Sequence, residues 1–248
     1  MLKNLFLISG LILFIYNCAG NKPKASMSAD EYFKFAMEEY KDEDFFEANQ
    51  DFTVIVFRFP GSSVADSAQF YLAETHYSME EYLIAASEFE KLITDMPNSS
   101  LVPKAQFRLA ESYEEMSPRP ELDQTYTTKA IRAYQTFVED YPRNPLKEEA
   151  EKRILKLRSK LALKDLKSAR IYRKMNKFKA AIIYYDSILK DYYDTEWADD
   201  AMYGKILTYI DMGDYASAKA EKEKFLRQFP SSDRLPQVER LGDLKVGN

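Results

Sequence analysis

A short motif that ends helices recurs five times in this chain, and it constrains the fold more than any other feature. Each copy has an aromatic residue or methionine followed, in four of the five copies, by proline. The proline position is occupied by Pro60, Pro97, Pro142, Tyr193 and Pro230, at successive spacings of 37, 45, 51 and 37 residues. Because proline cannot continue the hydrogen-bond ladder of an α-helix, a motif with this period predicts five helix ends in a repeat protein.

Two segments with helical spacing of apolar residues precede each motif. In three repeats an alanine of the first segment is followed 12 residues later by an alanine of the second: Ala36 and Ala48, Ala73 and Ala85, Ala169 and Ala181. Small residues let the two helices of a hairpin cross closely. This is the pattern of tetratricopeptide (TPR) repeats. It predicts an all-α, tetratricopeptide-like superhelix of about five helical hairpins.

Two irregularities interrupt the repeats. The third repeat has extra residues between 116 and 127, where Pro118 and Pro120 predict a loop. The fourth repeat has a surplus at its start, and residues 146–175 contain no proline or glycine. We therefore expect one extended helix to open the fourth repeat. After Pro230 the chain can form a short last helix.

The N-terminus has the features of a secretory signal. Lys3 is followed by an apolar run over residues 5–16 and then by Cys18, the only cysteine. A membrane-spanning helix needs roughly 20 apolar residues, so this shorter run is not expected to remain in the membrane. The segment before Cys18 resembles a bacterial lipobox, although Asn17 stands where a small residue is usual. We predict a signal peptide over residues 1–17, a lipidated flexible tether over 18–28, and a single TPR-like domain over 29–248.

Taken in order, these features resemble the BamD family of outer-membrane-assembly lipoproteins. The resemblance covers about residues 27–230, and residues 59–62, 122–127, 137–142 and 189–195 carry the family-like stretches. It implies a non-enzymatic lipoprotein on the periplasmic face of the outer membrane. The implied role is to scaffold the barrel subunit of the β-barrel assembly machinery and to help recognise unfolded outer-membrane proteins, partly through their aromatic C-terminal segments. Tyr193 departs from the family's usual proline.

A peptide groove is predicted on the first helices of the first three repeats. The alanine register places eight residues there: Phe33, Met37, Tyr40, Phe70, Glu74, Tyr77, Phe107 and Glu111. Aromatic rings beside polar groups suit an extended peptide with an aromatic end. The alternative is that these rings only pack between helices. Arg153, Arg158 and Lys160 on the extended helix are candidates for salt bridges with the barrel subunit, or else lie on a solvated helix face.

Enzymatic function, cofactors and nucleic acid are not expected. His76 is the only histidine, and we expect it to have a structural or groove role rather than to bind a metal. Glycine-rich phosphate loops and nucleophile elbows are absent from the sequence. The net charge of −5 comes without a basic block, which argues against nucleic acid as a partner.

Two other functional classes remain open on the sequence. A periplasmic TPR scaffold of the CpoB type, which coordinates cell division, has similar repeats but usually lacks the lipid anchor and the extended helix. A peptidoglycan-associated lipoprotein enzyme would need catalytic acids in a cleft, and no such set stands out.

Overall fold

The computed structural model describes residues 26–241, and these residues form eleven helices. The helices are α1 (Ala29–Lys41), α2 (Phe45–Arg58), α3 (Ala65–Ser78), α4 (Tyr82–Asp95), α5 (Val102–Glu115), α6 (Thr125–Asp140), α7 (Lys147–Lys174), α8 (Phe178–Asp191), α9 (Ala198–Met212), α10 (Tyr215–Gln228) and α11 (Leu235–Glu239). The all-α prediction is confirmed. The predicted signal peptide and Cys18 lie outside the described residues.

Consecutive helices pair into five hairpins, from α1 with α2 to α9 with α10, and each hairpin packs against the next. The alanines at the predicted crossings have no solvent exposure, so a larger side chain at any of them would have to displace its neighbours: Ala36, Ala48, Ala73, Ala85, Ala169 and Ala181. The 12-residue spacing therefore marks the point where the two helices of a hairpin touch. The predicted five-hairpin superhelix is confirmed.

At one shared register position, the second helix of each of the first four repeats has an aromatic ring that is almost completely buried. We call these rings the wedge aromatics: Phe52, Phe89, Tyr134 and Tyr185. They lie in the clusters that join neighbouring hairpins, so the hydrophobic core runs along the repeats. Burying one such side chain stabilises the fold by about 1.5–3 kcal/mol.

The second helix of each repeat ends just before the predicted terminator, and this holds even where proline is missing. Helix α8 ends at Asp191, before Tyr193. There the Tyr192 N–H donates to the carbonyl of Ile188 over 2.9 Å. The Thr195 hydroxyl donates to the carbonyl of Tyr192 over 2.8 Å and closes the turn. The backbone hydrogen bonds that end the helix are the same at all five helix ends, and at this one the Thr195 hydroxyl adds a side-chain bond.

Both predicted irregularities are present. The loop of the third repeat spans residues 116–124, because α6 already begins at Thr125. Helix α7 has 28 residues and is slightly shorter at each end than expected. It packs against α6 as well as α8, so it joins the third repeat to the fourth. Lys160 and Lys164 of α7 donate to Ser117 and to the Leu122 carbonyl, which fixes the loop on the long helix.

Within residues 26–241, none of the helices combines the length and the apolar composition that crossing a membrane requires.

Candidate functional site

The first helices of repeats one to three present a mixed aromatic and acidic surface. Six of the eight predicted groove residues are half-buried there. We call this set the inner face: Phe33, Met37, Tyr40, Glu74, Tyr77 and Glu111. In repeat proteins of this kind, successive units stack into an extended surface suited to binding.

Phe70 and Phe107 do not lie on the inner face, and the prediction that they face the groove is wrong. They are only 1% and 5% exposed, respectively. Phe70 packs against Phe89, with ring centroids 5.6 Å apart, and Phe107 packs against Phe137 at 5.3 Å. In repeats two and three these rings turn inward because the core between hairpins buries more apolar surface than the groove does. They support the inner face from beneath.

The aromatic end of the inner face is held together by Tyr71. Its ring stacks on Phe52 at 5.7 Å and meets Phe33 at 6.1 Å and Tyr40 at 5.3 Å. Tyr71 belongs to the second repeat, so it fixes the rings of the first repeat against α3. It was missed at the sequence level because its partners belong to a different hairpin.

Arg108 organises the acidic part of the inner face. Its guanidinium makes a two-pronged contact with Glu74, at 2.5 and 3.1 Å, and a third contact with Glu111 at 2.7 Å. It also lies over the ring of Tyr77, 3.8 Å from the centroid. A planar guanidinium suits both the carboxylate fork and the aromatic face. Arg108 thereby joins α3 to α5, and it too was missed.

The two tyrosines of the inner face remain neutral at physiological pH. Burial raises the pKa of Tyr77 to about 12, and the nearby Glu115 acts in the same direction. Burial also raises the pKa of Tyr40, and Glu74 adds to the effect. Both phenols therefore keep their protons and can donate hydrogen bonds on this surface.

The basic residues suggested for the barrel subunit are engaged within the chain. Arg153 contacts Glu111 at 3.1 Å and Glu114 at 3.2 Å, which extends the ion-pair network from α5 to α7. Arg158 contacts Asp194 at 2.6 Å. Lys160 donates to Ser117, as described above. These side chains hold the extended helix against its neighbours, so an intermolecular role would have to compete with existing partners.

His76 and Trp197 both have structural contacts. The Nδ1 atom of His76 lies 2.6 Å from Glu81, at the turn between α3 and α4. The indole N–H of Trp197 donates to Ser159 over 2.9 Å. In the part of the chain that the structure describes, no group of three or more His, Cys, Asp or Glu side chains could hold a metal ion.

Comparison with family models gives two matches. The model described as the YfiO outer membrane lipoprotein family matches residues 25–213, and a tetratricopeptide-repeat model matches residues 200–232. The first match spans well over half of the chain and ends inside the turn after α9. No curated protein matches the chain at a significant level.

Solved structures with some similarity are helical-repeat proteins. A thermophilic TPR protein of Thermus thermophilus has 15% identity and a TM-score of 0.38, covering 86% of this chain and 96% of its own. The TPR2AB domain of yeast Sti1, in its pHSP90 complex, has 16% identity and a TM-score of 0.45, covering 82% and 78%. A TPR protein of Parabacteroides merdae has 13% identity and a TM-score of 0.39, covering 81% and 79%. Similarities of this size carry no conclusion about ligands.

Proposed function

Because the chain belongs to the YfiO family of outer membrane lipoproteins, we propose that it is a non-enzymatic subunit of the β-barrel assembly machinery. In this role it scaffolds the barrel subunit and helps recognise unfolded outer-membrane proteins. The match to the family over residues 25–213 is the observation that carries the proposal. The five-hairpin scaffold supports it, because stacked hairpins present long surfaces to protein partners.

Lipidation of Cys18 would hold this scaffold at the periplasmic face of the outer membrane. The helical part begins at Ala29, where Ser28 and Glu31 form a capping box. Residues 18–28 are thus proposed as the tether between the lipid and the first hairpin. Each buried methylene of an acyl chain contributes about 0.8 kcal/mol, so two or more chains anchor the protein stably.

Recognition of clients is assigned to the inner face. Tyr40 and Tyr77 offer half-buried rings and neutral hydroxyls, while Phe33 and Met37 extend the apolar surface at the first repeat. Such a surface fits an extended segment that ends in an aromatic residue. Arg108 lies over one face of the Tyr77 ring and supports its orientation.

Affinity capture tests the scaffolding role. The full-length chain, tagged at its C-terminus and expressed in its own host, is captured from outer membranes solubilised in mild detergent. We expect the barrel subunit of the assembly machinery to co-purify. A Cys18→Ser variant controls for the anchor and should lose its membrane association. Recovery of division proteins without any barrel-assembly subunit would refute the proposal and favour the CpoB-type alternative.

Peptide binding tests the inner face. The variant Tyr40→Ala with Tyr77→Ala should weaken binding of a barrel-protein C-terminal peptide about tenfold or more, as loss of central aromatic anchors does. The matched control is Tyr193→Ala with Tyr215→Ala, because those rings are 70% and 39% exposed and lie elsewhere in the chain. Circular dichroism checks that both variants are folded. Equal peptide affinity in the two variants would exclude the inner face as the binding site.

A further inference from the structure

A second concave site lies in the last two repeats, away from the inner face. The end of α7 and the adjoining surface of α9 enclose a cavity of about 740 Å³. Four basic side chains from two parts of the chain line it: Arg170, Arg173, Lys174 and Arg234. We call this cavity the basic pocket. The proposed function of the inner face does not use it.

Positive charge exceeds negative charge in the basic pocket. Its acidic lining residues are Asp200 and Asp211. Arg170 and Arg234 share Asp200, at 2.9 and 2.5 Å, and Arg173 contacts Asp211 at 2.7 Å. The lining therefore has four cations against two anions. The aspartates orient the arginines, and the lining residues carry two more positive than negative charges. Asp199, beside the lining, also interacts with Arg234.

The pocket has basic residues at the register positions where the preceding repeat has acidic residues. Ala110 of α5 is fully buried, as the crossing alanine Ala169 is. Counted from these two alanines, the glutamates 111, 114 and 115 of α5 correspond to Arg170, Arg173 and Lys174 of α7. In the third repeat, Arg108 and Arg153 pair with the first two of these glutamates. The inner surface of the repeats thus changes sign between the third and fourth hairpins.

The floor of the basic pocket is formed by aromatic and aliphatic side chains. Tyr185 is only 1% exposed, and it reaches the pocket because Gly204 has no side chain to block its ring. Tyr203 and Leu207 add apolar wall, and the Arg234 guanidinium lies 5.6 Å from the centroid of the Tyr203 ring. A guanidinium beside an apolar wall matches a carboxylate next to an apolar side chain.

We propose that the basic pocket binds a carboxylate-bearing segment of an extended polypeptide. Arginine recognises carboxylates through two parallel hydrogen bonds. A carboxylate on the partner would neutralise positive charge of the lining that Asp200 and Asp211 do not. The carboxylates can belong to acidic side chains or to a chain terminus, since both present the same group. This site lies in the fourth and fifth repeats and shares no residue with the aromatic inner face.

Fluorescence anisotropy with a labelled peptide tests the proposal on the full-length chain in detergent. The probe is a short peptide of alternating Asp, Glu and Leu with a free C-terminal carboxylate, and it has no aromatic residue for the inner face to bind. Its counterparts carry Lys in place of the acids, or an amidated C-terminus. The pocket variant is Arg173→Gln with Lys174→Gln. The matched control removes the same charge from the exposed side of α10, as Lys219→Gln with Arg227→Gln.

We expect the pocket variant to bind the acidic peptide about tenfold more weakly than the control variant, and raising the salt concentration to weaken binding further. Loss of binding on amidation would assign the terminal carboxylate, and unchanged binding would assign the acidic side chains. Both results support the pocket. Equal affinity of the pocket and control variants, or equal binding of a lysine peptide whose C-terminus is also amidated, would overturn the proposal. The Tyr40→Ala, Tyr77→Ala variant should bind this probe normally, which separates the basic pocket from the inner face.

Discussion

In the second, third and fifth repeats, one register position lies against the wedge aromatic of the preceding repeat. It comes shortly before the position where the hairpin helices cross. The facing pairs are Tyr71 with Phe52, Arg108 with Phe89, and Gly204 with Tyr185. The Tyr71 ring stacks on Phe52, and the Arg108 guanidinium lies over Phe89. Gly204 has no side chain and leaves room for the Tyr185 ring. The residue at this position therefore determines how closely neighbouring hairpins approach.

Gly204 is the position where a single methyl group should do the most damage. A Cβ atom there would lie 2.6 Å from three atoms of the Tyr185 side chain. Because the ring is buried, it cannot move aside without disturbing the core. We expect Gly204→Ala to destabilise the protein by about 1–3 kcal/mol, measured by thermal or urea unfolding. Gly213→Ala, where a Cβ atom meets nothing but the backbone φ is +77°, is the comparison for backbone strain alone. A Gly204→Ala variant as stable as the parent would contradict this packing.

The stability of the first hairpin should depend on pH through Glu39. Its carboxyl group on α1 is partly buried and faces Asp51, Glu47 and Asp44 at the start of α2. Burial and these neighbouring acids raise its pKa from 4.5 to about 7. The folded state thus holds the proton more tightly than the unfolded state. The stability that this provides is present below about pH 4.5 and is lost as the pH rises through about 7.

Substitution of Glu39 by glutamine should remove this dependence. The amide stays neutral at every pH and can still donate to Asp51. We expect the Glu39→Gln variant to melt a few degrees higher than the parent at about pH 8, with the difference shrinking towards zero at about pH 5. The melting temperatures of the parent and the variant, measured over that pH range, test this expectation. A constant difference between the two proteins would show that Glu39 has no raised pKa.

At the level of elements, the ion pairs of Arg108 and Arg153 connect three successive first helices. Arg108 joins α3 to α5, and Arg153 joins α5 to α7. The side chains of Arg108, Glu74 and Glu111 are 18%, 12% and 13% exposed. At this degree of burial, the loss of one partner destabilises the protein, because the remaining charge is still removed from water and no longer has an opposite charge beside it.

Removal of Arg108 should therefore weaken the contact between the second and third repeats. Arg108→Met leaves Glu74 without its partner, and we expect a loss of about 2 kcal/mol in the free energy of unfolding. Glu74→Gln in the same background should restore part of it, as a double-mutant cycle measures. Arg132→Met, on the exposed side of α6, is the matched control. If both arginine variants lose the same stability, the network does not stabilise the interface.

The helices and hairpins could be predicted because the sequence features that specify them are local. Proline cannot continue a helix beyond its first turn, and the alanine pairs mark crossings that depend only on two helices. The inner face was harder to predict, since the direction of a ring depends on the adjacent hairpin. Phe33 stays half-buried whereas Phe70, at the same register, is buried. Tyr71 and Arg108 could have been found by aligning the repeats and asking what faces each wedge aromatic.

At the level of the whole molecule, the repeats divide into two surfaces joined by the extended helix. The inner face of repeats one to three combines aromatic rings with a neutralised acidic network. The basic pocket of repeats four and five carries excess positive charge. Helix α7 contacts both regions, because it packs against α6, α8 and α9. A single extended polypeptide could meet aromatic and then basic chemistry along this scaffold.

The most direct test of a role in β-barrel assembly is depletion of the protein in its native host. Outer membranes are collected as the protein runs out, and folded β-barrel proteins are quantified by their altered migration in unheated gels. We predict that folded barrel proteins fall while other outer-membrane lipoproteins keep their levels, and that the wild-type chain restores them. Normal barrel-protein levels in cells that fail to divide would contradict this role.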